Sequence, residues 1–131
     1  MDKHLYDRGL AKRRKVLGDG YVNRALGDVD DFNRDFQRLV TEYCWGEAWG
    51  DETLSARERS ILTLGMVAAI GKMGEFANHL RGALSNGVTP NELRAVLVQI
   101  AIYCGIPVGT DCFQVAETIL RENKAQGDTR V

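Results

Sequence analysis

Gly71-Lys72-Met73-Gly74-Glu75-Phe76-Ala77-Asn78-His79-Leu80-Arg81 opens a helical pattern directly after an apolar run over residues 60–70. Two glycines, Gly71 and Gly74, bracket the turn between the two segments. Positions i and i+4 of a helix share a face. Glu75 and His79 therefore stand together at a helix start, beside an oily neighbour. Upstream, Ser55 and Glu58 have capping-box spacing, which predicts a helix running to Ile70. Ile61, Leu62, Leu64, Met66, Val67, Ala68, Ala69 and Ile70 leave that helix almost no polar face. Such a helix must be covered on all sides, as a central element, a subunit contact or both.

Outward from this pair the chain keeps the same character. A charged amphipathic helix fits residues 5–17, ended by Gly18-Asp19-Gly20, and a short helical piece fits 21–26, closed by Gly27. From Asp30-Asp31 a longer helix is expected, with Phe32, Phe36, Leu39, Val40 and Tyr43 at the 3–4 spacing of a buried stripe. After Asn86-Gly87, a C-cap pattern, Thr89-Pro90-Asn91-Glu92 repeats the helix-start signal. Leu93, Val96, Leu97, Ile100, Ala101 and Cys104 then line one face. Gly105-Ile106-Pro107 breaks the chain, and Cys112, Phe113, Ala116, Ile119 and Leu120 mark a last amphipathic helix. No stretch alternates with period two. The expectation is an all-α domain of about six helices over residues 1–131, with an N-terminal helical extension (1–20) and a frayed tail (125–131).

Composition narrows the class. The 131 residues carry 17 basic and 18 acidic side chains, a net charge of −1, which argues against a general binder of nucleic acid. The basic cluster Lys12-Arg13-Arg14-Lys15 reads as a solvated helix face or a subunit contact. The longest apolar run is far short of a membrane span, and no apolar signal region follows the N-terminus, so the cytoplasm is expected. Three cysteines, Cys44, Cys104 and Cys112, form no CxxC and suggest small buried side chains; no metal site is expected.

The chemistry-bearing residues each have two readings. His79 is either a core histidine or a proton-transfer group, since an imidazole titrates near neutrality. Glu75 either tunes that ring or is a surface carboxylate near a helix start. In Trp45-Gly46-Glu47-Ala48-Trp49 both tryptophans flank a carboxylate. They can wall a small-molecule pocket with Glu47 as acid, base or orienting group, or fold a helix end onto the core. Arg57 and Arg59 precede the apolar helix, and an arginine at a pocket mouth suits a carboxylate ligand. Tyr103 ends an apolar face, as a pocket hydroxyl or a core tyrosine. No phosphate-binding glycine loop and no nucleophile elbow is present. Acid–base chemistry on a small molecule, without a cofactor, fits this inventory best.

Five pieces in order carry a resemblance. They are Tyr43-Cys44-Trp45-Gly46-Glu47-Ala48-Trp49, Arg59-Ser60-Ile61-Leu62-Thr63-Leu64, Glu75-Phe76-Ala77-Asn78-His79-Leu80-Arg81-Gly82-Ala83-Leu84, Asn86-Gly87-Val88-Thr89 and Ile102-Tyr103-Cys104-Gly105-Ile106-Pro107. Over about residues 21 to 120 the chain resembles the carboxymuconolactone decarboxylase family, whose helical fold is shared with alkylhydroperoxidase D-like proteins. The redox branch of that superfamily carries C-x-x-C-x-x-x-H; with its histidine set on His79, Lys72 and Glu75 stand where the cysteines would be.

The resemblance implies cofactor-free decarboxylation of 4-carboxymuconolactone to the enol-lactone of 3-oxoadipate, in aromatic-acid catabolism. It implies His79 as proton donor or oxyanion partner, tuned by Glu75, and Arg59, with Arg81, holding a substrate carboxylate. Trp45, Glu47, Trp49 and Tyr103 would shape and orient the pocket, with Glu47 among the catalytic groups. It also implies a closed homo-oligomer, often a hexamer, and no nucleic-acid or membrane partner. Ala95, where many relatives have Glu, and Val108-Gly109-Thr110, where many read Ala-Ala-Asn, depart from the pattern. A thiol-dependent peroxidase or reductase of the same fold, and a non-catalytic oligomeric binding module, stay open as alternatives.

Overall fold

Where Gly18 turns to φ +89 the first helix stops, and its N–H is spent on the Arg14 carbonyl. The computed structural model describes residues 2–127, and among them every regular element is helical. The described residues form seven α-helices and one π-helical stretch, against about six helices expected. Contacts divide the chain into two units, one running to Ala56 and the other beginning at Arg57. Ala125 closes the last helix; the rest of the expected frayed tail, from residue 128, lies outside the described residues.

The first unit holds α1 (Lys3–Leu17), α2 (Asp19–Gly27) and α3 (Arg34–Leu39), which runs unbroken into the π-helical stretch Val40–Ala48. Asp2 caps α1, its side chain accepting from Leu5 N–H at 3.1 Å. α1 packs on the π stretch at backbone distance. A Cβ on Gly9 would lie 2.0 Å from the Thr41 carbonyl oxygen, and one on Gly46 2.7 Å from that of Leu5. Beside this crossing Arg13 is buried. Its Nη1 donates to Gln37 Oε1 at 3.1 Å and to Thr41 Oγ1 at 3.3 Å. Val16, Trp45 and Trp49 make the core, with Leu17, Val40 and Ala56 against it.

Two expectations fail here. Arg13 is not on a solvated face, and only its neighbours in the basic cluster remain outside. Arg14, for example, pairs with Asp19 at 3.2 Å and bonds Asn23 at 2.8 Å. Of the expected stripe, Val40 does pack on this core, but Phe32, Phe36, Leu39 and Tyr43 are exposed within this chain, Phe32 at 97%. The crossing explains it. Contact at backbone distance selects the face bearing Thr41 and Gly46, so the bulky residues face outward. The π stretch also winds with i→i+5 bonds, so α-helical spacing no longer names one face beyond residue 40.

The second unit is built from α4 (Ala56–Ala69), α5 (Met73–Ser85), α6 (Pro90–Cys104) and α7 (Ile106–Ala125). Its core is Leu64 and Ala68 from α4, Phe76 and Leu80 from α5, Leu93 and Leu97 from α6 and Ile119 from α7, among others. Asn86 Nδ2 donates to Ser60 Oγ at 3.2 Å, tying the end of α5 to the start of α4. The Thr89 start signal is a complete capping box. Thr89 Oγ1 accepts from Glu92 N–H at 3.2 Å, and Glu92 Oε1 accepts from Thr89 N–H at 3.0 Å. Gly105, at φ +106, ends α6, and α7 starts at once on Ile106 with Pro107 in its first turn. The expected break is thus a sharp corner, since proline is tolerated in a first turn. Gly109 lets α7 close on α6; a Cβ there would lie 2.4 Å from that of Ala101. α4 is not covered on all sides within the chain: Leu62 and Met66 are exposed, as is Ile70 just past its end, at 69%.

Candidate functional site

α5 presents Phe76, Leu80, Ala83 and Leu84 to the core of the second unit, and that packing fixes the rest of its surface. His79 falls next to this buried face, one turn after Phe76 and one before Ala83, and is 7% exposed. Glu75, one turn earlier, is in solvent. Burial is the dominant influence on the ring and pushes the His79 pKa below its ordinary 6.5; the Glu75 charge pulls it partly back. The neutral imidazole is therefore the resting form at neutral pH. An acid on the water side and a neutral ring on the core side can donate a hydrogen bond, take up a proton and pass it on.

The depressed pKa sets a stability signature. In the unfolded chain the imidazole protonates near 6.5; in the folded one it does so only at lower pH. Between the two values the unfolded state binds more protons, so stability rises with pH. The contribution is complete above 6.5 and is lost as pH falls through the folded value. Urea unfolding of the wild type against His79→Gln checks this. The wild type should lose ground to the variant as pH drops below 6.5, whereas parallel curves would show that His79 is not held neutral by burial.

The other expected groups are distributed as follows. Arg59 is half-buried in the first turns of α4. Arg81 is exposed on α5 and reaches Glu122 of α7 at 3.4 Å. Arg57 pairs with Glu92 on α6. That guanidinium, helped by the Thr89 N–H, pulls the Glu92 carboxyl down to about 2. Tyr103 is 83% exposed and so is not a core tyrosine. It lines a groove of about 310 Å³ between α4 and α6, with Ile61, Leu62, Gly65, Val96, Gln99 and Cys104. Cys104 lies on the apolar face expected from the sequence, whereas nothing in the sequence reading points to Gln99; its four-residue step to Tyr103 is the signal that finds it.

In the first unit Trp45 and Trp49 are both buried, with ring centroids 4.8 Å apart at 31°, and pack with Val16. Glu47, between them in sequence, is in solvent. Of the three thiols, Cys44 is exposed, Cys104 half-buried and Cys112 buried; burial pushes the Cys112 thiol up to about 11, with Asp111 and Cys104 adding to it. Among the described residues no three His, Cys, Asp or Glu side chains gather as a metal's ligands would. None of the described helices is long and apolar enough to cross a membrane.

Comparison with known proteins converges on one group. The profile of the Carboxymuconolactone decarboxylase family matches residues 34–118. A 4-carboxymuconolactone decarboxylase of Acinetobacter baylyi is 36% identical over 121 residues, covering 92% of this chain and 90% of that protein. A nitrosuccinic acid decarboxylase of Metarhizium robertsii is 35% identical over 128 residues, covering 98% of this chain and 90% of the other. A 4-carboxymuconolactone decarboxylase sequence of Pseudomonas putida is 44% identical over 46 residues, 35% of this chain and 96% of its own length.

Proposed function

The chain belongs to the carboxymuconolactone decarboxylase family, and on that premise we propose that it converts 4-carboxymuconolactone to the enol-lactone of 3-oxoadipate with loss of CO₂. The observation that carries this reading is the burial of the His79 imidazole one turn after Glu75, inside the stretch that the family profile matches. The chemistry asks little more of the protein. The departing carboxylate sits on the ring carbon of an unsaturated lactone. When the C–CO₂ bond breaks, its electron pair enters the ring and spreads to the lactone carbonyl as a dienolate. One proton then adds to the carbon next to that carbonyl. The substrate is its own electron sink, so no cofactor is needed to hold the charge.

His79 donates its N–H to the lactone oxygen as charge builds there, the role a preorganised donor fills best in a dry setting. The substrate's carboxylates favour the charged ring on binding, so the imidazole takes up a proton from solvent, gives it to the carbon and returns to its neutral form. Glu75 holds and tunes the ring. Arg59 receives a substrate carboxylate; Arg81 is a second cation on the helix that bears His79. Tyr103 offers a hydroxyl at the α4–α6 groove. Trp45 and Trp49 enter this reading as the core that fixes their own unit.

A second substrate has its own support, the 35% identity over 98% of the chain to a nitrosuccinic acid decarboxylase. In nitrosuccinate the departing carboxylate lies on the carbon bearing the nitro group, again an electron sink within the substrate. Comparing kcat/KM on the two compounds decides between them. The proposal requires the lactone to be preferred, and a preference for nitrosuccinate would replace it.

The apolar surface supports a homo-oligomer. Phe32, Phe36, Leu39 and Tyr43 in one unit, and Leu62, Met66, Ile70 and Ile102 in the other, are large apolar side chains that the chain's own fold leaves exposed, as an interface between copies would require. Sedimentation equilibrium should give a multiple of 14.6 kDa, and Leu62→Lys with Met66→Lys should lower it. A single 14.6 kDa species at micromolar concentration would overturn the assembly.

A further inference from the structure

The first unit has a second hollow, of about 270 Å³, made by α1, α3 and the chain around the end of α2. Its walls are Tyr6, Leu26, Val29, Arg34, Gln37 and Arg38. Arg34, Gln37 and Arg38 stand at i, i+3 and i+4 of α3 and so share one face. The polar side of the hollow consists of donors. Gln37 is oriented from behind: the buried Arg13 donates to its Oε1 at 3.1 Å, and arginine only donates, so the amide must keep its NH₂ end for the other side. The Gln37 main-chain carbonyl is likewise taken, by Thr41 Oγ1 at 2.9 Å. Arg34 uses Nη1 on Asp31 at 2.7 Å. Arg38 points Nη1 at Asp35, 3.5 Å away, and Nε at Glu42, 4.0 Å away. Asp31 and Asp35 are 96% and 86% solvated and lie outside the lining, and each guanidinium keeps its Nη2 edge. The apolar side is Leu26, Val29 and the ring of Tyr6.

Two forks and an amide NH₂ on one wall, with a greasy wall opposite and no carboxylate among the lining residues, define a ligand class. We propose that this hollow binds a small organic carboxylate with an apolar body; its lining shares no residue with the groups assigned above to decarboxylation. The carboxylate sits between Arg34 and Arg38 with the Gln37 NH₂ as third donor, and the body lies on Leu26, Val29 and Tyr6. Arg13 is a positioning residue, since it fixes which end of the Gln37 amide faces the ligand.

Benzoate is the probe, with benzyl alcohol as its uncharged counterpart, in a ¹H–¹⁵N titration of the full chain. Benzoate should move the Gln37 side-chain NH₂ signals, and benzyl alcohol should not. Arg34→Gln with Arg38→Gln should weaken benzoate by roughly tenfold or more, the scale of a charge-assisted pair. In the wild type, added NaCl should weaken binding, a test that needs no variant. A Gln37 signal unmoved by benzoate, an equal response to the alcohol, salt-independent binding, or unchanged affinity in the double variant would each overturn the site.

Discussion

Replacing His79 with alanine should lower kcat for CO₂ release from 4-carboxymuconolactone by about 10²-fold or more, the usual scale for a positioned acid–base group. The loss should fall on kcat more than on KM, because the ring acts on charge that exists only as the C–CO₂ bond breaks. His79 is buried beside Phe76 and Ala83, so alanine also leaves a small cavity. His79→Gln separates the two effects, as it fills the space and still carries an N–H donor but cannot shuttle a proton near neutrality. If the hydrogen bond to the lactone oxygen matters most, glutamine recovers part of the rate; if proton delivery does, it recovers none. A folded His79→Ala protein with wild-type kcat would take the imidazole out of the mechanism.

Gly9→Ala should cost about 3 kcal/mol of stability or more, at the upper end of overpacking effects. The new methyl would sit 2.0 Å from the Thr41 carbonyl oxygen and 2.9 Å from the Gly46 nitrogen. Both are backbone atoms, so no flexible side chain can yield. α1 must lift from the π stretch. That pulls Arg13 away from Gln37 and Thr41 and opens the Val16–Trp45–Trp49 core. The two buried indoles report the event directly, so thermal melts followed by tryptophan fluorescence should show an early transition. Gly20→Ala is the control. It lies inside α2 and its methyl meets only the end of the Arg24 side chain, at 3.5 Å, so helix propensity predicts a neutral to slightly stabilising change. A Gly9→Ala melt matching the wild type would mean that α1 does not cross the π stretch this closely.

These two residues also mark what could be read from the chain unaided. His79 and Glu75 were legible because an i, i+4 pair is a local property, fixed once a helix is expected. The Thr89–Glu92 capping box was legible for the same reason. Gly9 and Gly46 were not, because their meaning lies in a crossing between helices far apart in sequence. The error over Phe32, Phe36, Leu39 and Tyr43 has the same root. Periodicity identifies an apolar face but not what covers it, and the face used inside the chain bears Thr41 and Gly46 instead. The π winding at Val40–Ala48 was invisible to a search for a 3.6-residue period. Arg13 looked like one of four surface cations, and only the fold shows it orienting Gln37. The sequence leaves Tyr103 open as a pocket hydroxyl or a core residue, and its 83% exposure removes the second option.

The most direct measurement is turnover of 4-carboxymuconolactone by the purified chain, with CO₂ and the enol-lactone quantified together and no cofactor, thiol or peroxide added. One CO₂ and one enol-lactone should appear for each substrate consumed, at a rate that collapses in His79→Ala. Substrate left intact by a folded wild-type protein, with no CO₂ released, would contradict the proposed function.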